Sequence, residues 1–419
     1  MSPQDFAHNC NFCKKPLTHV VVDLGMQPLC EERIRPEELH GMEPHYPLKA
    51  YVCDQCFLVQ VPESVSPEII YRDYGYYSSF SDFWLDHAKR YVNGIVPRFG
   101  INQESLVAEI ASNDGYLLQY FVEKNIPVLG IDPSVEVAKY AIKEKGVRTE
   151  ILFFGSETAE QLRRLYGKAD LIVGNNVLAH VPDINDFVQG IKSFLKPGGV
   201  VTMEFPHLQQ LIGQNQFDTI YHEHFSYFSF SVVRRIFDKH GIELFDVEEI
   251  PTHGGSLRIY GRHQEDREKT VHNRVKELVE REQSMGLDSL GYYDAFNENV
   301  KETKRKILDF LIRAKREGKQ IVGYGAPGKG NTLLNYCGIR TDFLDYTVDR
   351  SPHKQGNFLP GTHIPIYHPD RLRETKPDYV FVLPWNLKDE IIKHHQYVCE
   401  WGGKFVIPIP ELSVIEATI

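Results

Sequence analysis

Long apolar runs are missing from this chain: nowhere do about 18 consecutive residues stay apolar, as a membrane-crossing helix requires. The first ten residues, MSPQDFAHNC, lack both the basic start and the apolar stretch of a secretory leader. The expectation is a soluble, cytoplasmic protein with no membrane partner. A basic surplus is missing too. The 47 Lys and Arg stand against 57 Asp and Glu, with a net charge of −10 and a pI near 6.0. No basic stripe is available to neutralise phosphates, so nucleic acid is excluded as a partner class and a small molecule is expected. No repeat of solenoid period and no low-complexity tract is visible. Cysteine is scarce and odd in number, seven in 419 residues, which speaks against a disulfide framework. The length allows two to four domains, because single cores stop growing near roughly 250–300 residues.

Four of the seven cysteines form two CxxC pairs, Cys10/Cys13 and Cys53/Cys56. Between them runs an irregular, proline-rich stretch with no sustained helical period, which needs a staple. Four thiolates in paired knuckles make a closed tetrahedral Zn²⁺ site whose binding energy supplies what a small core cannot. Cys30, Cys337 and Cys399 are read as packing residues.

The stretch Ile70 to Ser81, IYRDYGYYSSFS, is too aromatic for a plain linker. It reads either as a lid carrying Tyr74, Tyr76, Tyr77 and Ser79 over a neighbouring substrate site or as inter-domain packing. An amphipathic helical pattern follows from Phe83 to Phe99. From Ser105, apolar strands alternate with helical segments (SLVAEI, VLGID, ADLIVGNN, GVVTMEF), predicting a doubly wound parallel sheet. After a charged helical tract, Asp266 to Gly318, a second and smaller α/β series begins at Gln320. The expected domains are therefore 1–72, 73–264 and 265–419.

In a doubly wound sheet, ligands bind at the carboxyl ends of the strands. The first central strand ends in Glu109-Ile110-Ala111-Ser112-Asn113-Asp114-Gly115, and the second ends at Asp132, placed for ribose hydroxyls. The turn lacks G-x-G-x-x-G, which disfavours a pyrophosphate-bearing dinucleotide and suits S-adenosylmethionine, a donor without phosphate. Asn175 and Asn176 close the fourth strand, and Leu195-Lys196-Pro197-Gly198-Gly199 leads into the fifth. With these features the middle domain resembles a class I S-adenosylmethionine-dependent methyltransferase. The contacts taken from that likeness are Glu109, Ala111, Asn113, Gly115, Asp132, Asn175 and Asn176, with Phe153 and Phe154 bordering the adenine or, alternatively, filling the core.

Downstream stands Tyr221-His222-Glu223-His224, two imidazoles, a carboxylate and a phenol in four residues. The spacing is not H-E-x-x-H, so a catalytic zinc on a helix is not expected. The two CxxC pairs together with EIASNDGYLL, NNVLAHVPD, TIYHEHFSYFS and GYGAPGKGNTLLNYCGI resemble the nucleotide-sugar C-methyltransferase family over nearly the whole chain. The resemblance implies a zinc-bearing N-terminal domain, a class I Rossmann-like middle domain and a second Rossmann-like C-terminal domain. It implies methylation at C3 of a dTDP- or GDP-linked 4-keto-6-deoxyhexose, in branched-chain deoxysugar biosynthesis, by a monomer or small homo-oligomer. It also gives Lys329 and Asn331 to the sugar nucleotide.

The residue types fit that chemistry. Carbon beside a ketone becomes nucleophilic only on losing a proton, so the site needs a base and a group that stabilises the enolate oxygen. His224 is the candidate base; Tyr221 and His180 are candidates to hydrogen-bond the enolate or a sugar hydroxyl. Glu223 is expected to orient His224 or a sugar hydroxyl. The rival readings are an NAD-dependent sugar oxidoreductase or epimerase using Gly323-x-Gly325-x-x-Gly328 with Asp345 or Asp349, an O- or N-methyltransferase, and a non-catalytic zinc-stapled binding module.

Overall fold

The computed structural model describes residues 8–70 and 77–416. Near the N-terminus, β1 (His19–Gln27), β2 (Tyr46–Val52) and β3 (Val59–Gln60) form an antiparallel ribbon, with Leu48, Ala50 and Val52 alternating inward along β2. Next come β4 (Val107–Ile110), β5 (Val128–Ile131), β6 (Thr149–Glu150), β7 (Ala169–Asn175) and β8 (Leu195–Pro206). Their apolar runs, rather than alternation, follow from burial on both faces. The short β9 (Ser226–Tyr227) precedes β10 (Ile242–Ile250) and β11 (Ser256–His263), and the last series is β12 (Ile321–Tyr324), β13 (Thr347–Val348), β14 (Ile366–Tyr367), β15 (Tyr379–Val382), β16 (Lys404–Ile407) and β17 (Ser413–Ile415).

Among the described residues these strands make three sheets. The central sheet has the order β10-β11-β8-β7-β4-β5-β6, parallel except that β11 is antiparallel to both β8 and β10. The C-terminal sheet, β14-β13-β12-β15-β16-β17, has the doubly wound dinucleotide-fold order with only β17 antiparallel. The N-terminal sheet is β1-β2-β3-β9, so its last strand comes from far along the chain.

That exchange of β9 makes the zinc-domain sheet part of the wall behind Tyr221–His224. The two halves of the N-terminal region also pack on different partners. Cys10, Phe12, Leu17 and Leu58 share a core with the central sheet. Val21, Val22, Leu48 and Ala50 share one with Leu333, Leu334 and Ile321 of the C-terminal domain. Leading into the central sheet, the helix Asp82–Phe99 starts at Ser81, whose side chain accepts from the Trp84 amide, and stops at Gly100 in the left-handed region. Among the described residues no helix is long and apolar enough to cross a membrane.

Candidate active site

The donor loop is built at the carboxyl ends of β4 and β5. Ala111, Asn113 and Gly115 all take positive φ, at 58°, 49° and 77°. Ala111 stands where glycine would be unstrained, so the sharp turn is kept without the residue that makes it easy. Glu109 is fully buried with the Tyr116 hydroxyl beside it as hydrogen-bond donor; Ser112 Oγ and Asp114 Oδ1 find no well-formed hydrogen bond among the described residues. Burial, with the neighbouring Asp114 and Asp132 charges, holds the Glu109 carboxyl well above its usual range. Asp132 accepts from the Asn113 and Ser134 amides, each at 2.9 Å, and burial pushes it up to about 6. Three buried carboxyls gathered at the strand ends suit a cation better than a phosphate. The sulfonium and ammonium groups of S-adenosylmethionine fit that demand.

The described end of the aromatic connection, Tyr77 to Ser81, is bonded to this loop. The Ser78 amide donates to Asn113 Oδ1 and the Ser79 amide to Asp114 Oδ2, both at 3.0 Å. Tyr77 stacks on Phe80 at 5.2 Å and lies 6.2 Å from His353 of the C-terminal domain, nearly parallel to both rings. Tyr74 and Tyr76 lie outside the described residues. Phe154 packs into the core against Phe187 and Phe194, whereas Phe153, just past β6, is half exposed. Asn175 donates to Tyr116 Oη at 3.4 Å, and Asn176 (φ 53°) anchors its amide on the Glu204 carbonyl at 2.7 Å.

Tyr221-His222-Glu223-His224 occupies a turn pinned on both sides. The Phe225 amide donates to the Ala179 carbonyl, and the Phe225 carbonyl accepts from the Val61 amide, leading into the β3–β9 ladder. The His224 ring lies 4.1 Å from Tyr221 and 4.6 Å from His180. His224 Nδ1 donates to the Thr219 carbonyl at 3.1 Å, which fixes the neutral tautomer with Nε2 as the lone-pair nitrogen. Burial, then the charge of His180, holds its pKa well below the usual histidine value; His253 and Lys329 also oppose protonation. Glu223 does not orient this ring. It points to the opposite side of the turn, 3.8 Å from Cys30 Sγ, and burial beside Glu31 pushes its carboxyl up to about 8. His222 is buried with its ring edge 5.9 Å from Tyr46.

The C-terminal domain contributes Lys329, whose ammonium sits 5.0 Å over the Trp385 ring and donates to Asn386. Trp385 Nε1 in turn donates to buried Asp218 at 2.7 Å, and burial pushes that carboxyl up to about 6. Asn331 is a structural residue here: its amide donates to the Cys30 carbonyl at 2.5 Å. The Gly323–Gly328 turn is engaged by the chain itself. The Gly328 amide at the helix N-terminus already donates to Glu31 Oε1 at 3.0 Å, filling the place of a pyrophosphate, and Asp349 is used by the Ala326 and Ser351 amides. Asp345 pairs outward with Lys315. Sequence reasoning missed Glu31, Asp218, Trp385 and His253, none of which carries a motif.

At the N-terminus the four sulfurs of Cys10, Cys13, Cys53 and Cys56 all lie within 4.8 Å of one another. Tetrahedral zinc with Zn–S near 2.3 Å needs sulfurs about 3.8 Å apart, so the cluster fits the ion. Gln60 supports it, donating to Cys10 Sγ at 3.3 Å while accepting from the Asn11 amide.

Together the reversed β8-β11-β10 edge, the cation-accepting donor loop and the tetrathiolate cluster define a zinc-stapled, S-adenosylmethionine-dependent methyltransferase. Three family models match in succession: a zinc binding domain over residues 10–71, a methyltransferase domain over 84–247 and a C-methyltransferase C-terminal domain over 251–410. C-methyltransferase NovU of Streptomyces niveus is 34% identical over 408 residues, 97% of either chain. The chain belongs to this C-methyltransferase family. A ubiquinone biosynthesis O-methyltransferase of Chelativorans sp. is 33% identical over 98 residues, 23% of this chain and 38% of its own. The solved magnesium protoporphyrin IX methyltransferase of Synechocystis PCC 6803 with bound S-adenosylmethionine is 16% identical, covering 46% of this chain and 88% of its own with a TM-score of 0.32.

Proposed function

We propose that this enzyme methylates C3 of a nucleotide-linked 4-keto-6-deoxyhexose, with His224 as the base. The observation that carries the reading is the state of His224. Its ring is neutral, its Nδ1 is engaged by Thr219, and its Nε2 makes no hydrogen bond among the described residues. A neutral imidazole has the free lone pair that removing a proton from carbon requires, and general-base participation contributes typically about 10² to 10⁴ in rate. The C3 proton passes to Nε2, the C–H electron pair becomes the C3–C4 π bond, and the carbonyl π pair moves onto the ketone oxygen. The donor, held by Glu109, Ala111, Asn113, Gly115 and Asp132, supplies an electrophilic methyl group on a sulfonium. Tyr221 and His180, both in ring contact with His224, are placed to hydrogen-bond the sugar, and Lys329 offers a positive charge to its phosphates. Ser79 and its neighbour Tyr77 belong to the strap bonded to the donor loop, and Tyr76 precedes them in sequence as a further candidate for the substrate.

The test is to incubate the protein with S-adenosylmethionine and a panel of dTDP- and GDP-linked 4-keto-6-deoxyhexoses and to read the sugar-nucleotide mass. A gain of one methyl, with washout of the C3 hydrogen in D₂O, is expected on one member. A methylated product that keeps its C3 hydrogen but loses that at C5 would move the acceptor to the other carbon beside the ketone, and one that keeps both would replace the carbon acceptor with an oxygen or nitrogen one.

A further inference from the structure

His253 lies outside every motif, yet its backbone is held where few side chains go. It has φ 53° within the turn Thr252–Gly254, just before β11, in the left-handed region that L-residues avoid unless their surroundings impose it. The surroundings do impose it. Thr252 donates to Glu204 at 3.1 Å, Ser256 Oγ donates to the Thr252 carbonyl at 2.9 Å, and Gln216 Nε2 donates to the Gly254 carbonyl at 2.9 Å. A side chain on Gly254 would collide with Gln216 and, at 2.9 Å, with Trp385. The turn is thus wedged between the central sheet and the C-terminal domain, at the carboxyl ends of β7 and β8, where a sheet of this kind binds its ligands.

The side chain is as constrained as the backbone. Trp84 packs edge-to-face on the imidazole at 5.3 Å, and Trp84 is itself stacked on His87, which pairs with Glu204. His253 Nε2 faces Asn176 Nδ2 at 3.3 Å. With the Asn176 amide nitrogen, which can only donate, turned toward the ring, Nε2 accepts and the neutral imidazole carries its proton on Nδ1. Among the described residues Nδ1 has no hydrogen-bond partner. Burial, then the Lys329 ammonium, keeps the ring neutral, with its pKa lowered to about 4. The turn meets Trp385 at Gly254, Lys329 lies 5.0 Å over that same indole, and Lys329 and His253 both oppose protonation of His224.

We infer that His253, as a neutral Nδ1–H donor, is a further catalytic residue that hydrogen-bonds the acceptor oxygen on which negative charge develops as His224 takes the carbon-bound proton. The proposal rests on the enolate reading of the function. A neutral imidazole suits this role, because its proton stays on nitrogen throughout and the strained turn fixes its direction before substrate arrives, which is how preorganised donors lower a barrier. Nothing is transferred to or from His253; the proton that moves goes to His224.

The experiment follows hydrogen exchange at C3 in D₂O with a dTDP- or GDP-linked keto-sugar that the parent enzyme methylates, using S-adenosylhomocysteine in place of the donor so that only the enolate step is read. His253→Ala is expected to slow exchange by about 10² to 10³, the usual effect of deleting one such donor. His253→Asn, which keeps an N–H donor and tolerates positive φ, is expected to recover a large part of it. Binding of S-adenosylhomocysteine should stay within a few-fold of parent in both. Exchange by His253→Ala within threefold of parent would overturn the assignment while leaving the base in place. Absence of exchange in the parent would instead remove the enolate reading, and His253 with it. The ¹⁵N spectrum of the parent's imidazoles decides the matter even if both variants fail to fold: a proton on Nδ1 of His253 is required, and a proton on Nε2 would refute the role.

Discussion

The acid limb of the pH profile is the most direct reading of how His224 is held. An unperturbed histidine, with pKa near 6.5, would be about nine-tenths protonated at pH 5.5, and a reaction needing the free base would have lost roughly tenfold in kcat/KM by then. Here burial, then His180, with His253 and Lys329 adding to it, holds the pKa well below 6.5. The sign is fixed: a depressed histidine pKa keeps the base form populated to lower pH. The expected kcat/KM is level from pH 7 through 6.5, with its acid fall displaced below that. Lys329→Met removes one of the opposing charges, so the fall should move back toward neutral pH, alongside any loss of substrate affinity seen in KM. The assay is initial-rate methylation over pH 5–8 with preincubated controls that score irreversible loss. A midpoint at or above 6.5 in the parent, or a limb that ignores Lys329→Met, would refute the reasoning.

Other consequences are as concrete. Glu223, pushed up to about 8, is mostly protonated at neutral pH, so Glu223→Gln should retain most of its activity at pH 7 and lose any fall that the parent shows as pH rises through 8; a collapse at pH 7 would show that the carboxylate is needed. Trp385→Phe removes the donor to buried Asp218 and should cost about 1.5–3 kcal/mol in urea unfolding, the range for a hydrogen bond to a charged group. Ala111→Gly relieves the left-handed strain at φ 58° and should leave thermal stability unchanged or raise it by up to about 1 kcal/mol, with donor binding intact by calorimetry. Stripping zinc with a chelator should lower both the melting temperature and kcat, because β3, next to Cys56 in sequence, pairs with β9 directly after the His224 turn.

The strand-and-turn grammar of the two α/β domains was legible because buried parallel strands leave apolar runs ending in polar, ligand-facing residues. Glu109 and Asp132 could be placed at strand ends from that alone. The CxxC spacing was legible because metal chemistry restricts residue type. What could not be read was anything decided by packing between distant segments. The pairing of β3 with β9 rests on two residues from each side. His253 sits in the plain run Pro-Thr-His-Gly-Gly, whose glycines announce a turn but not its strain. Glu223 and His224 are adjacent, so sequence suggested cooperation; a tight turn sends them to opposite sides. Phe153 and Phe154 divide for the same reason, one outward and one into the core.

The two Gly-bearing strand–helix turns of this chain meet opposite electrostatic demands. In the central domain the turn gathers the three buried carboxyls of Glu109, Asp114 and Asp132, whose mutual repulsion and burial a cation would relieve. In the C-terminal domain the turn has the fingerprint of an anion site, but the chain supplies its own anion: the Glu31 carboxylate on the Gly328 amide. A side chain at Gly328 would press within 2.5 Å of that carboxylate and 2.9 Å of Cys30 Sγ, so the glycine serves the approach of the zinc domain and not of a cofactor. Asn331, one turn on, holds the same segment through the Cys30 carbonyl. The fingerprint has thereby become a latch between domains, and it brings Lys329, which lies between Gly328 and Asn331, up to the histidine cluster. A dinucleotide could bind there only by breaking the latch that keeps the methyltransferase site assembled.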